Sequence, residues 1–218
     1  PKQIDQVVVV ERLREARALV GFTRIDSAGE LTDPDRPLAG AIAPLSRQQP
    51  TWIPTDEIRG EGLFLRFNEN AIEQWARQPD LRSWSQAFHD SHFSWRKARG
   101  IQDPDANFPG LRYVLLHTFS HLLMRQLALE SGYSAASIRE RIYARQPHDS
   151  NGPMAGILLY TAASDSEGTL GGLASLGKPR VLARLIQAAL ESARLCAGDP
   201  LCAESQPELD GRTVQAAA

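Results

Sequence analysis

Apolar residues along this chain fall into short continuous runs, two stretches with helical spacing, and one long segment that is apolar around most of its circumference. The long segment, residues 111–130, organises the rest. Leu115, Phe119, Leu122, Leu123, Met124 and Leu127 make a stripe wider than a surface helix needs, which predicts a helix buried on more than one side. Pro109 suits its first turn and Gly132 a left-handed C-cap. Ser134 then opens a second predicted helix on the spacing of Ile138, Ile142 and Tyr143.

The run at residues 6–10 is β-branched and continuous, the pattern of a buried strand. Residues 11–18, with Arg12, Arg14 and Arg17 among acids, fit a short helix or a charged strand, and residues 19–25 return to strand composition. Residues 26–50 are rich in Pro, Gly, Asp and Ser and read as loop, with a short strand near Ala41 to Ala43. A strand over 63–67 leads to Asn68, which caps a helix bearing Ile72 and Trp75 that Pro79 stops. Residues 81–99 form an amphipathic helix carrying Trp84, Phe88, Phe93 and Trp95, read as core aromatics rather than a base-stacking platform. Residues 154–161 are apolar on both faces, as in a central strand, and Pro179 starts a last helix that ends near Cys196.

This order has no internal repeat and no strict βαβ period. The expected fold is α/β of the α+β type: a mixed sheet packed around a buried central helix, with a C-terminal helix leading to a cysteine half-site. Residues 1–100 form a strand-rich lobe and 101–218 a helical/β lobe, joined through the polar stretch 100–108 into one continuous body.

With 218 residues and 42% hydrophobic content, the chain can bury a sizeable core. Lys and Arg number 24 against 26 acids, so there is no overall basic field, and any nucleic-acid contact must come from local patches. Two such patches are Arg12 with Arg14, and Arg96 with Lys97 and Arg99; a solvated face is the plainer reading of both. The early apolar run is too short for a signal core or a membrane span, which points to a cytoplasmic protein with no membrane contact. Two cysteines make no disulfide framework.

Four features bear on chemistry. His117 and His121 lie four apart on the predicted helix and share a face, as a metal site requires, but no glutamate stands between them as in zinc proteases. They are expected to be structural, hydrogen-bonded histidines tying the central helix to neighbouring loops. The rival is a metal-dependent hydrolase or nuclease in which they converge with Asp165 and Glu167. The glycine-rich stretch 160–176 lacks the Gly-Lys-Ser/Thr of a phosphate loop, and before Ser166 a nucleophile elbow fails because Ser164 and Asp165 replace the glycine that lets such a turn form. Cys196 and Cys202, separated by a Gly-Asp-Pro turn, can converge on one ion but do not close a zinc site by themselves.

The segments Val10-Glu11-Arg12-Leu13-Arg14-Glu15, Gly21-Phe22-Thr23-Arg24-Ile25, Arg59-Gly60-Glu61-Gly62, Leu116-His117-Thr118-Phe119-Ser120-His121-Leu122, residues 160–172 and Asp199-Pro200-Leu201-Cys202 together resemble the C-terminal region of the DrmB family. That family is the helicase-associated component of the DISARM anti-phage system; a weaker resemblance is to the zinc-binding C-terminal domain of MrfA-type DNA-repair helicases. The resemblance implies a non-catalytic role beside a DrmA-like helicase partner, with DNA engaged through the complex. It also implies zinc held by Cys196 and Cys202 together with a second cysteine pair. Here the sequence reaches Gln215-Ala216-Ala217-Ala218 where that second pair would follow, and it begins with Pro1, so a piece of a longer protein is expected. On that basis the chain as given should carry little or no zinc and should be poorly ordered after Cys202, its two thiols near enough to chelate once the missing pair is restored. Stoichiometric zinc would instead call on His148 or Glu204.

Overall fold

In a computed structural model, residues 2–23, 42–48, 50–162 and 172–193 are described. Strand β1 (Ile4–Ala18) is followed by the short strands β2 (Gly21–Phe22) and β3 (Ala43–Pro44), then by β4 (Thr55–Phe67). Three helices follow: α1 (Glu69–Ala76), α2 (Asp80–Ala98) and α3 (Gly110–Ser131). Strands β5 (Ile138–Tyr143) and β6 (Gly156–Ala162), helix α4 (Gly172–Ser175) and helix α5 (Pro179–Ser192) complete the order. The main sheet has four strands in the order β1-β4-β6-β5, and each of its pairings is antiparallel. This is an α+β fold; the described pairings make its sheet antiparallel rather than mixed.

Helix α3 lies where its sequence places it. Leu116, Leu123 and Leu127 have no exposure, Leu115 and Phe119 pack at the margin of the same cluster, and Gly132 ends the helix at φ 76°, in the left-handed region. Leu63 and Leu65 of β4 and Ile157 and Leu159 of β6 are also fully buried; they pair across the sheet and point to the helical side. Leu182, Leu185 and Ile186 of α5 close the same core. Arg112 near the start of α3 is buried and makes a two-pronged ion pair with Glu69 of α1, one arm at 2.7 Å, so the two helices are locked by charge as well as packing. As expected, Asn68 caps α1, its side-chain oxygen accepting from the Ala71 N–H at 2.9 Å.

Two expectations are corrected. The helix predicted after Ser134 is a single 3-10 turn, Ala135–Ser137, leading into strand β5. Ile138 and Ile142 are four apart, and four is both about one helical turn and an even number of strand positions, so the spacing alone fits either element. Pairing with β6, from Ile138 opposite Thr161 to Tyr143 opposite Gly156, decides for the strand. The valine run is a strand but not a buried one: β1 pairs only with β4, at the sheet edge, leaving Val7, Val8 and Val9 each nearly 40% exposed.

Candidate metal-binding triad

Positions 117, 120 and 121 share one face of α3, the spacing of adjacent helical turns, and that face looks onto β5. On β5, Glu140 has the parity of Ile138 and Ile142, which turns its side chain toward the core beneath the helix, opposite Leu159 of β6. The sequence thus delivers two imidazoles and a hydroxyl from above and one carboxylate from below. His117 Nε2 lies 2.9 Å from Glu140 Oε1, and His121 Nε2 lies 3.3 Å from the same oxygen. The two Nε2 atoms are 2.9 Å apart. Ser120 Oγ donates to the other carboxylate oxygen, Oε2, and so fixes which oxygen faces the histidines.

Burial alone would push the Glu140 carboxyl up, but the contacts from His117, His121 and Ser120 outweigh it and hold the group well below the usual carboxylate range. Its negatively charged form is the one these contacts favour. Burial and that negative charge together raise the phenol of Tyr113, whose ring leans against His117 at 5.4 Å between centroids. His117 is buried, and its Nδ1 has no hydrogen-bond partner among the described residues, so Nε2 carries its ring's polar contacts. His121 is more open, its side chain 38% exposed.

The expectation that His117 and His121 contact loops is therefore corrected: they face a strand and a carboxylate. Glu140 is the residue sequence reasoning missed, because reading 134–143 as a helix assigned it no face. Glu61 was also missed. It is almost fully buried in β4, accepts from the backbone N–H groups of Leu173 (2.7 Å) and Ala174 (3.1 Å) at the start of α4, and accepts from Tyr133 Oη at 3.2 Å. The glycines on either side of it in Arg59-Gly60-Glu61-Gly62 were the available signal.

The predicted phosphate-contacting residues are placed unequally. Arg12 and Arg14 are exposed on β1, Arg14 standing 3.8 Å from Glu57. Lys97 and Arg99 are exposed at the end of α2, the Arg99 guanidinium 3.8 Å over the Trp95 ring. Arg96 is corrected: it is 2% exposed and its Nη2 donates to the Asp103 carbonyl at 3.2 Å, so it ties α2 to the following loop rather than facing solvent. His148 is exposed beside Asp149. Cys196, Cys202, Asp165, Ser166, Glu167 and Glu204 lie outside the described residues, as do the 41–43 strand's first residue and Ile25.

A family model described as the MrfA Zn-binding domain matches residues 119–211, which makes zinc the metal to test. Two imidazoles and a carboxylate are a donor set that zinc accepts, so His117, His121 and Glu140 fit it chemically. DISARM protein DrmB from Bacillus paralicheniformis is 40% identical over 210 residues, covering 95% of this chain and 35% of that protein. The chain thus spans about a third of the length of the relative it matches. By that similarity, which runs through nearly all its residues, the chain is a relative of DISARM protein DrmB, and its second half is matched by the MrfA Zn-binding domain.

Proposed function

We propose that this chain is the part of a DrmB-like anti-phage defence component that performs no chemistry of its own and supports a DNA helicase or translocase partner. One observation carries the reading: the 40% identity to DISARM protein DrmB over 95% of the chain. The exposed cations Arg12, Arg14, Lys97 and Arg99 give it phosphate contacts, but with a net charge of -2 the isolated chain has no field to hold duplex tightly. DNA is therefore engaged through the complex, in the cytoplasm, and in the longer protein zinc is held by Cys196 and Cys202 with further ligands. A DNA-binding assay with and without a DrmA-like helicase tests this. Weak binding by the chain alone, falling steeply with salt, and tighter binding with the helicase are expected; binding unchanged by the helicase would sink the reading.

The convergence of His117, His121 and Glu140 favours one second reading, a metal-dependent hydrolase or nuclease that uses Glu140 where the sequence suggested Asp165 and Glu167. Phosphodiester turnover abolished by His121→Ala would select it over the first.

A further inference from the structure

The three contacts within the triad cannot all be hydrogen bonds. Glu140 Oε1 is an acceptor, and each Nε2 carries at most one proton. If both imidazoles are protonated at Nε2, each can donate to Oε1, but two donor nitrogens with no acceptor between them are then crowded side by side at 2.9 Å. If only His121 is protonated there, His117 Nε2 and Glu140 Oε1 oppose lone pairs at 2.9 Å. If only His117 is, the same conflict moves to the 3.3 Å contact. With Glu140 ionised, every assignment of protons to the two Nε2 atoms leaves one contact repulsive. A cation placed among the three atoms makes all of them favourable at once.

From this we infer that His117, His121 and Glu140 form a binding site for a divalent transition metal, zinc in the first place, separate from the cysteine site that the resemblance implies. Ligands of a tetrahedral zinc with bonds of about 2.0–2.1 Å stand about 3.3 Å apart. The separations here are 2.9, 2.9 and 3.3 Å, so a shift of a few tenths of an ångström completes the geometry. The donors come from two rigid elements, α3 and β5, and Ser120 orients the carboxylate as an outer hydrogen bond to a ligand does. The fourth position opens on the side of His121, the more exposed of the two imidazoles, where water or a partner's side chain can enter. Because His117 precedes the residues matched by the zinc-binding family model, that match does not span the site. The inference stands whether or not the helicase reading holds.

The test uses the 218-residue chain with Cys196→Ser and Cys202→Ser, which removes the competing thiolates. After stripping with chelator, loading with zinc chloride and removal of excess, elemental analysis should find about one zinc per chain. Adding His121→Ala or Glu140→Gln to that background should bring zinc to near none while the far-ultraviolet circular dichroism stays that of the parent. A folded cysteine-free chain without zinc would overturn the proposal, as would zinc undiminished by His121→Ala. Cobalt(II) in the same cysteine-free chain gives a second readout: visible d–d bands lost with His121→Ala support the site, and bands indifferent to that substitution count against it.

Discussion

At the scale of residues, carboxylates tie the described elements together around the apolar core. Glu61 accepts from Tyr133 and from two amides of α4, Glu69 grips Arg112, and Glu140 faces two histidines and a serine. Glu61 is the sharpest case because both its oxygens are used and it is only 1% exposed. In Glu61→Gln one oxygen becomes an amide that must point its hydrogens at a backbone N–H. Unfolding in urea should show a loss of about 1–3 kcal/mol, the cost of leaving a buried donor unpaired. A midpoint unchanged from the parent would mean that α4 is not fixed by this carboxylate.

Among the elements, close approach matters as much as hydrogen bonding. Gly177, between α4 and α5, sits so near the sheet that an added Cβ would stand 2.6 Å from Val9 Cγ2 and 2.7 Å from Leu63 Cδ2. Gly177→Ala should therefore destabilise by about 1–3 kcal/mol through overpacking, and should do so by loosening β1, since Leu63 is fully buried and Val9 stands at the open edge. Thermal unfolding of that variant, compared with Gly132→Ala, separates a packing effect from a helix-cap effect. Much at this scale was legible beforehand. Helix α3 announced itself through its apolar circumference and terminal glycine, α1 through Asn68 and Pro79, and β4 and β6 through their apolar runs. What stayed hidden had physical causes. The isoleucine spacing in β5 satisfies two periods at once, and with that strand misread, Glu140 could not be paired with His117 and His121. The edge position of β1 depends on which strands pair, which a run of valines does not encode. The two histidines were legible as a pair; the third donor was not.

For the whole molecule, the four-stranded sheet joins residues far apart along the described chain: β4 and β6 pair from Gly60 with Ala162 to Arg66 with Gly156. Among the described elements, α3 and α5 pack on the side lined by Leu63, Leu65, Ile157 and Leu159, while Phe64, Leu158 and Tyr143 alternate onto the side that is only half covered. The order of the strands carries a kinetic consequence. β5 and β6 are neighbours in sequence as well as in the sheet, and α3 directly precedes them, so helix and hairpin can assemble with little loop closure. Joining β4 to β6 requires a closure across α1, α2, α3 and β5, and β1 is tied to the sheet through β4 alone, at its edge. Because an edge strand is held on one side only, the expected order is helix and hairpin first, with β4 and then the valine strand joining afterwards. Native-state hydrogen exchange should reveal the same ranking in reverse, with amides of Val7, Val9 and Leu13 opening at lower free energy than those of Ile157 and Leu159. If β1 exchanges as slowly as β6, the sheet forms as one cooperative unit and the strand is not the last to arrive.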